Sequence, residues 1–421
     1  MKSKKIAPSR ISGPSHVLIK AFLVGLAALD RQALAQSVLA PTPETPDQTP
    51  PAVQQTSEMD VFANNAPQTE AEPFRWKDLT LRPHPFYQFL YADGLRYGTN
   101  QTQIANSLVQ TISPGVLLQV GNHWTLDYSP VFTLYSKQFS DAFGQTAKLA
   151  FGTAYNDWIF NLSQSYIETD SPSSITGTQV RSETFATILE GLYTINSKLS
   201  ADMSLNQNFV SADQFSSYKE WSTIDWLNYQ IQTRLYLAFG TGLGYDLEPV
   251  GSPDMTFQQF QGKVGWRATD KLSFQVHGGV EIRQFLNGGS TLFNPIFDAT
   301  IQYQPFQQTK ISVTGQQVVS ATYLQNQVTE TTGFTADLNQ RFLGKVFLDV
   351  NGGYQTVKYV SSEGGPANRT DNLFFINTSL SHPFLKRGTF ALIYQISRDD
   401  STFEGFSYTS HQVGFQIGFA Y

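Results

Sequence analysis

Side chains able to do chemistry are thinly spread along this chain of 421 residues. There is no cysteine, which removes thiolate nucleophiles, disulfide staples and cysteine-based metal sites. The six histidines, His16, His84, His123, His277, His382 and His411, stand singly, with no second ligand at metal-binding spacing. Gly240-Thr241-Gly242-Leu243-Gly244 imitates a nucleotide loop. It lies inside an alternating run with no helix after it, so its glycines read as small residues on one face of a strand. No Ser/His/Asp grouping can be nominated. The sequence therefore gives no reason to expect an enzyme, a cofactor or a metal site. What remains is a set of polar and aromatic side chains on the polar parity of their runs: Asp127, Asp202, Trp226, Tyr236, Asp246, Glu281, Arg283, Asp337, Asn339, Arg341 and Asp349. In a water-filled lumen they would solvate a passage and set its charge. Asp337, Asn339 and Arg341 beside Asp349 and Asn351 form the densest patch, which cross-strand pairing alone explains. Trp226 and Tyr236 offer ring faces that would either stack sugars or fill a barrel end.

The elements that would carry these residues are strands. From His84 onward polar and apolar residues alternate with the period of two that marks a strand with two different faces. Val413, Phe415, Ile417 and Phe419 alternate with Gln412, Gly414, Gln416 and Gly418, and Phe334, Ala336, Leu338 and Phe342 with Thr335, Asp337, Asn339 and Arg341. A soluble sandwich would share that alternation, so the position of the aromatics decides between the two. On the apolar parity, Trp158 with Tyr166, Leu235 with Tyr245, Val346 with Tyr354 and Phe334 with Phe342 bracket runs of eight to ten residues. That spacing covers the roughly 25 Å apolar band of a transmembrane barrel, with its aromatic girdles. Composition agrees: charge is 15% against about 25% in an ordinary soluble domain, and aromatics reach 14%. The fold class expected is all-β, a transmembrane antiparallel up-and-down barrel of about 18 strands, 16 to 18. Tight connections at Gly121-Asn122, Asn156-Asp157 and Gly344-Lys345 would face the periplasm. Gly/Ser/Pro-rich ones at 171–180, 286–292 and 359–369 would face outside.

The N-terminus reads as export machinery. Lys2, Lys4, Lys5 and Arg10 precede the apolar run of residues 21–29, and Ala33-Leu34-Ala35 supplies a small-residue cleavage site, so residues 1–35 are expected to be a signal peptide. Residues 36–75 are rich in Pro, Gln and Glu, with acidic but almost no basic side chains, and are expected to be a disordered periplasmic linker. The barrel would occupy 76–421. Removing a basic leader leaves the rest more acidic than the whole chain's −6, which argues against a nucleic-acid partner.

The final strand resembles the C-terminal signal read by the bacterial barrel assembly machinery. Gln412, Gly414, Ile417 and Phe419 fit its pattern two residues early, before Ala420 and Tyr421. More broadly, residues 84–421 resemble the outer-membrane β-barrel porin families found beside exopolysaccharide genes (beta-barrel porin 2 type). The resemblance is one of architecture and carries no catalytic residues. It implies a bacterial outer-membrane location, contact with outer-membrane lipid and the assembly machinery, and a passive conduit serving polysaccharide together with periplasmic export components. A barrel of this size encloses an aqueous channel, and the short outside connections lead us to expect a wide bore. The alternatives are a diffusion porin for small solutes and a structural or adhesive barrel without through-flow.

Overall fold

The computed structural model describes residues 74–97, 103–172, 179–213, 215, 217–248, 252–286, 290–322, 324, 327–361, 368–385, 387–403 and 405–419. The expected signal peptide, most of the expected linker, and Ala420 and Tyr421 lie outside them. Nineteen strands form one antiparallel sheet. They are β1 (Phe74–Trp76), β2 (Leu79–Tyr97), β3 (Gln103–Val120), β4 (Trp124–Tyr135), β5 (Ala142–Tyr155), β6 (Trp158–Pro172), β7 (Gln179–Asn196), β8 (Leu199–Ala212), β9 (Tyr218–Gln232), β10 (Leu235–Leu247), β11 (Met255–Arg267), β12 (Leu272–Phe285), β13 (Thr291–Phe306), β14 (Thr309–Ala321), β15 (Gln327–Phe342), β16 (Val346–Ser361), β17 (Arg369–Phe384), β18 (Gly388–Ser401) and β19 (Tyr408–Phe419). Strand β1 straddles the expected boundary between linker and barrel and pairs with β2, through Phe74↔Leu81 to Trp76↔Leu79.

The remaining strands run up and down in sequence order. The sheet closes on itself where β19 pairs β2, from His411↔Asp93 to Gly418↔Phe86. The result is an 18-strand barrel with no helix among its described residues. Closure removes the sheet edges that would otherwise leave backbone groups unpaired in lipid. The tight connections fall where turn chemistry places them. Asn156 takes a positive φ of 52° in the turn joining β5 to β6, and Gly121 takes 57° in the turn after β3; Asn and Gly are the residues that tolerate that conformation.

Alternation sorts the two faces. Outward side chains are apolar and exposed, among them Leu227, Leu237, Phe239, Leu243, Phe260, Val264 and Val276. Rings meet across strands on that surface: Trp158 with Tyr193 at 4.6 Å, Trp221 with Tyr245 at 6.4 Å and Trp266 with Phe274 at 5.5 Å. Inward positions are mostly Gln, Asn, Ser, Thr, Gly and charged residues, with rings such as Trp226 and Phe257 among them. An apolar outer band edged with aromatics around an even-stranded closed barrel is the design of a bacterial outer-membrane protein.

Candidate functional site: the lumen wall and its mouth

The lumen wall is organised by glycines. Where an inward residue is glycine, the side chain of its cross-strand partner lies down over it, and large groups can then span more than one strand. His84 on β2 pairs with Gly115 on β3. A Cβ at Gly115 would sit 2.1 Å from the imidazole, so only glycine lets the ring cross β3 and reach Asp127 on β4, at 3.1 Å. Asp127 was expected in the lumen, whereas His84 was read as an isolated histidine. The signal that could have identified it was the inward parity it shares with Gly115.

The same device assembles the candidates of β9 to β12. Trp226 lies over Gly240, where a Cβ would come within 2.6 Å of the indole, and Tyr236 lies over Gly265, where it would come within 1.9 Å. The Lys263 ammonium sits 3.8 Å from the Trp226 ring centroid, and His277 meets the indole edge-on at 6.0 Å. Trp226 is therefore buried between a glycine floor and a lysine. Its ring face is occupied, which removes it as a sugar-stacking platform. Asp202 lies opposite Trp226 on β8. The glycine-rich stretch 240–244 places Gly240, Gly242 and Gly244 inward as seats for neighbouring side chains, with Thr241 and Leu243 outward. Arg234 is in the turn between β9 and β10, paired with Asp270 at 2.8 Å.

Asp246, Glu281 and Arg283 were separate candidates, and the fold joins them. Phe257 on β11 rests on Gly244, where a Cβ would lie 2.0 Å from the ring. The Arg283 guanidinium packs 4.5 Å above the Phe257 centroid. Lifted over β11 in this way, Arg283 on β12 reaches Asp246 on β10 through Nη1, at 2.8 Å, and holds Glu281 through Nε, also at 2.8 Å. Gln259 donates to the other Glu281 oxygen at 2.7 Å. The three charged side chains are 1%, 0% and 1% exposed for Arg283, Asp246 and Glu281. Glu220 pairs across from Asp246, so three carboxylates face one guanidinium.

Asp337 and Asn351 are joined by a hydrogen bond from the Asn351 amide at 2.5 Å, and Asn339 pairs across from Asp349. Arg341 is exposed near the turn joining β15 to β16. Nearer the other end of the wall is a group that sequence reasoning missed. Arg369 stacks between Tyr359, at 3.9 Å, and Phe406, at 4.4 Å, and pairs with Asp371 at 2.9 Å.

At the barrel end that carries the β14–β15 connection, protein occupies part of the bore that was expected to be wide. The pairing of β13 with β14 stops at Phe297↔Gln317, while β14 continues against β15 as far as Ala321↔Val328. Beyond that point both faces of the β14–β15 hairpin are buried. Val319, Ala321 and Val328 lie on the outward parity, and Ser320, Gln327 and Thr329 on the inward parity. The first three pack against Tyr218, Met255, Phe285 and Ile296, which are inward residues of β9, β11, β12 and β13. The hairpin therefore bends into the barrel and presses its outer face on the inner wall opposite. No long loop was needed, because the ends of two strands do what a folded-in loop would do.

In the C-terminal strand, Gln412 and Gly414 point inward and Ile417 and Phe419 outward, in the seam with β2. No family model matches the chain, and no curated protein matches it. Among solved structures it is similar to OccK2 (OpdF) of Pseudomonas aeruginosa, at 10% identity over 81% of this chain and 98% of that one, with a TM-score of 0.47. It is similar also to the outer membrane protein opdK of Pseudomonas aeruginosa, at 8% identity over 81% and 99%, with a TM-score of 0.44. A third is the siderophore receptor PirA of the same organism, at 7% identity over 83% and 81%, with a TM-score of 0.42. At these values the likeness assigns neither a function nor a role to any residue.

Proposed function

We propose that the protein is a passive outer-membrane channel for small hydrophilic solutes, narrowed at its extracellular mouth by the inserted β14–β15 hairpin. The observation that carries this reading is the burial of both hairpin faces inside the barrel. An 18-strand barrel leaves room for water, and a mouth narrowed by protein selects by size. A conduit for exopolysaccharide needs a bore that admits a polymer chain, which the hairpin opposes. Outer-membrane lipid is the partner of the apolar band in this reading. The assembly machinery would read Gln412, Gly414, Ile417 and Phe419 in β19, with Tyr421 after them.

The test is single-channel conductance in planar bilayers, with graded polyethylene glycols added to size the bore. The wild-type chain is compared with a variant in which residues 320–329 are replaced by Asn-Gly, a two-residue turn that closes hairpins across the Val319↔Glu330 pair. The expected result is a small wild-type conductance that rises several-fold in the variant, with larger polymers admitted. Equal conductance and equal size exclusion would overturn the constriction. Silence of both proteins would overturn the channel and leave a structural barrel.

A further inference from the structure

The inward bend of β14 has a consequence on the outside of the barrel. Strand β13 stays paired with β12 up to Thr291, but above Phe297 none of the described residues pairs it on its β14 side. Residues 291–296 thus form an edge facing the bilayer, the one kind of edge that a closed barrel otherwise abolishes. Phe297 lies six residues above the outward Tyr303. At about 3.3 Å per residue and a tilt of roughly 40°, the seam opens about 15 Å above that ring, within the outer part of the apolar band. Unpaired backbone at such depth is tolerated only where protein or a ligand covers it.

The seam is lined for a particular kind of molecule. Its outer lip carries Phe293, 68% exposed, and Pro295, which has no N–H to leave unsatisfied. Its inner lip is the apolar cluster of Ile296 and Leu292 with Val319 and Ala321 of the hairpin. Apolar side chains therefore stand on both faces of the seam, Phe293 and Pro295 outside and Leu292 and Ile296 inside. At the lumenal end stand polar groups: the Asn294 amide, oriented as its neighbours require, donates to Glu330 at 3.0 Å. Asn294 pairs across from Glu281, a member of the buried charge network. Glu281 is bonded to Arg283 inside that network, whereas Glu330 accepts from Asn294 at the seam, and its carboxylate repels an anionic head.

We propose that the β13–β14 seam is a lateral portal, by which a single-chain amphiphile with a cationic head passes between the lumen and the outer leaflet, with the β14–β15 hairpin as its inner door. The tail would follow the Leu292, Ile296, Val319 and Ala321 surface, and the head would face Glu330. Opening requires the hairpin to leave its apolar cluster on β9, β11, β12 and β13 and the Asn294–Glu330 hydrogen bond, with no ladder among the described residues joining it to β13 above Phe297.

The full-length protein in vesicles is irradiated with a diazirine-tagged dodecyltrimethylammonium, and with diazirine-tagged dodecanoate as the anionic comparison; labelled residues are located by mass spectrometry. The expected result is cationic labelling at Leu292, Ile296, Val319 and Ala321 that exceeds labelling at lipid-facing Phe239 and Leu243 by about fivefold or more, with dodecanoate about fivefold weaker at the seam. Wild-type labelling no stronger at the seam than at Phe239 and Leu243 would overturn the portal without need of any variant. Equal labelling by both probes would overturn the assigned head group. The absence of native cysteine allows a second test, in which Ile296→Cys and Val319→Cys, whose native side chains share one packed cluster, are bridged by a short bis-methanethiosulfonate and released by reductant, with labelling read at Leu292 and Ala321. Bridging is expected to cut seam labelling about fivefold, reversibly, and unchanged labelling would refute the hairpin as the door. Labelling needs no ion current, so loss of the channel reading and loss of the portal would be told apart.

Discussion

Arg283 is the residue whose removal the barrel should tolerate least. Its guanidinium makes two charge-assisted hydrogen bonds of 2.8 Å, to Asp246 and to Glu281, with all three side chains essentially excluded from solvent. Replacing it with Met keeps the apolar packing on Phe257 but strands Asp246, Glu281 and the adjacent Glu220 without a cation. Breaking a buried ion pair from one side costs about 3–5 kcal/mol, because the surviving charge stays buried and unpaired. Replacing every partner by neutral groups of similar shape is close to neutral. Arg283→Met should therefore lower the unfolding free energy by about 3–5 kcal/mol, and the combination of Arg283→Met with Asp246→Asn, Glu281→Gln and Glu220→Gln should recover most of that loss. Arg283→Lys should fall between, because a single ammonium cannot reproduce the two-pronged geometry. The assay is urea unfolding of the barrel in lipid vesicles, followed by tryptophan fluorescence, with the slope checked to confirm that the transition stays two-state. A loss below about 1 kcal/mol in Arg283→Met, or a neutralised combination no more stable than the single variant, would refute the account of the network as a mutually dependent buried cluster.

Other consequences are open to direct measurement. Glu248, in the connection after β10, has its pKa pushed up from 4.5 to about 7, first by burial and then by Asp254. The native state therefore holds this proton more tightly than the unfolded chain, so its stability contribution is fully present below about pH 4.5 and is lost as pH rises to about 7. Glu248→Gln should flatten that part of a stability profile measured across pH, and an unchanged slope would contradict the assignment. Gly265→Ala would put a methyl 1.9 Å from the Tyr236 ring, whereas a Cβ at the outward Gly262 meets nothing within 4 Å. The first should cost about 1–3 kcal/mol in urea unfolding and the second little, and equal effects would refute the seating of Tyr236. Trp226→Ala removes the ring beneath the Lys263 ammonium and frees that charge into the lumen. The reversal potential in a salt gradient should then shift toward anion preference, and no shift would mean that Lys263 does not face the permeation path.

The barrel itself was legible in the sequence because a strand's period of two is a local property. Polar and apolar parities, aromatic spacing and short connections gave the all-β transmembrane class, the even closure near 18 strands and the positions of turns such as Asn156-Asp157, since each depends on residues close together in the chain. The meetings inside the lumen were not legible, because they depend on register. That His84 reaches Asp127 over Gly115, and that Arg283 reaches Asp246 over Phe257 and Gly244, follows from which glycine lies opposite which large side chain. Period alone does not encode that. The hairpin was hidden for a deeper reason. Val319, Ala321 and Val328 are apolar on the outward parity, as lipid-facing residues should be. A bilayer and a packed protein interior make the same demand on a side chain, namely that it be apolar. The sequence by itself therefore determined which residues must avoid water, and only the tertiary structure decided that at this hairpin the inner wall of the barrel, rather than the membrane, excludes it.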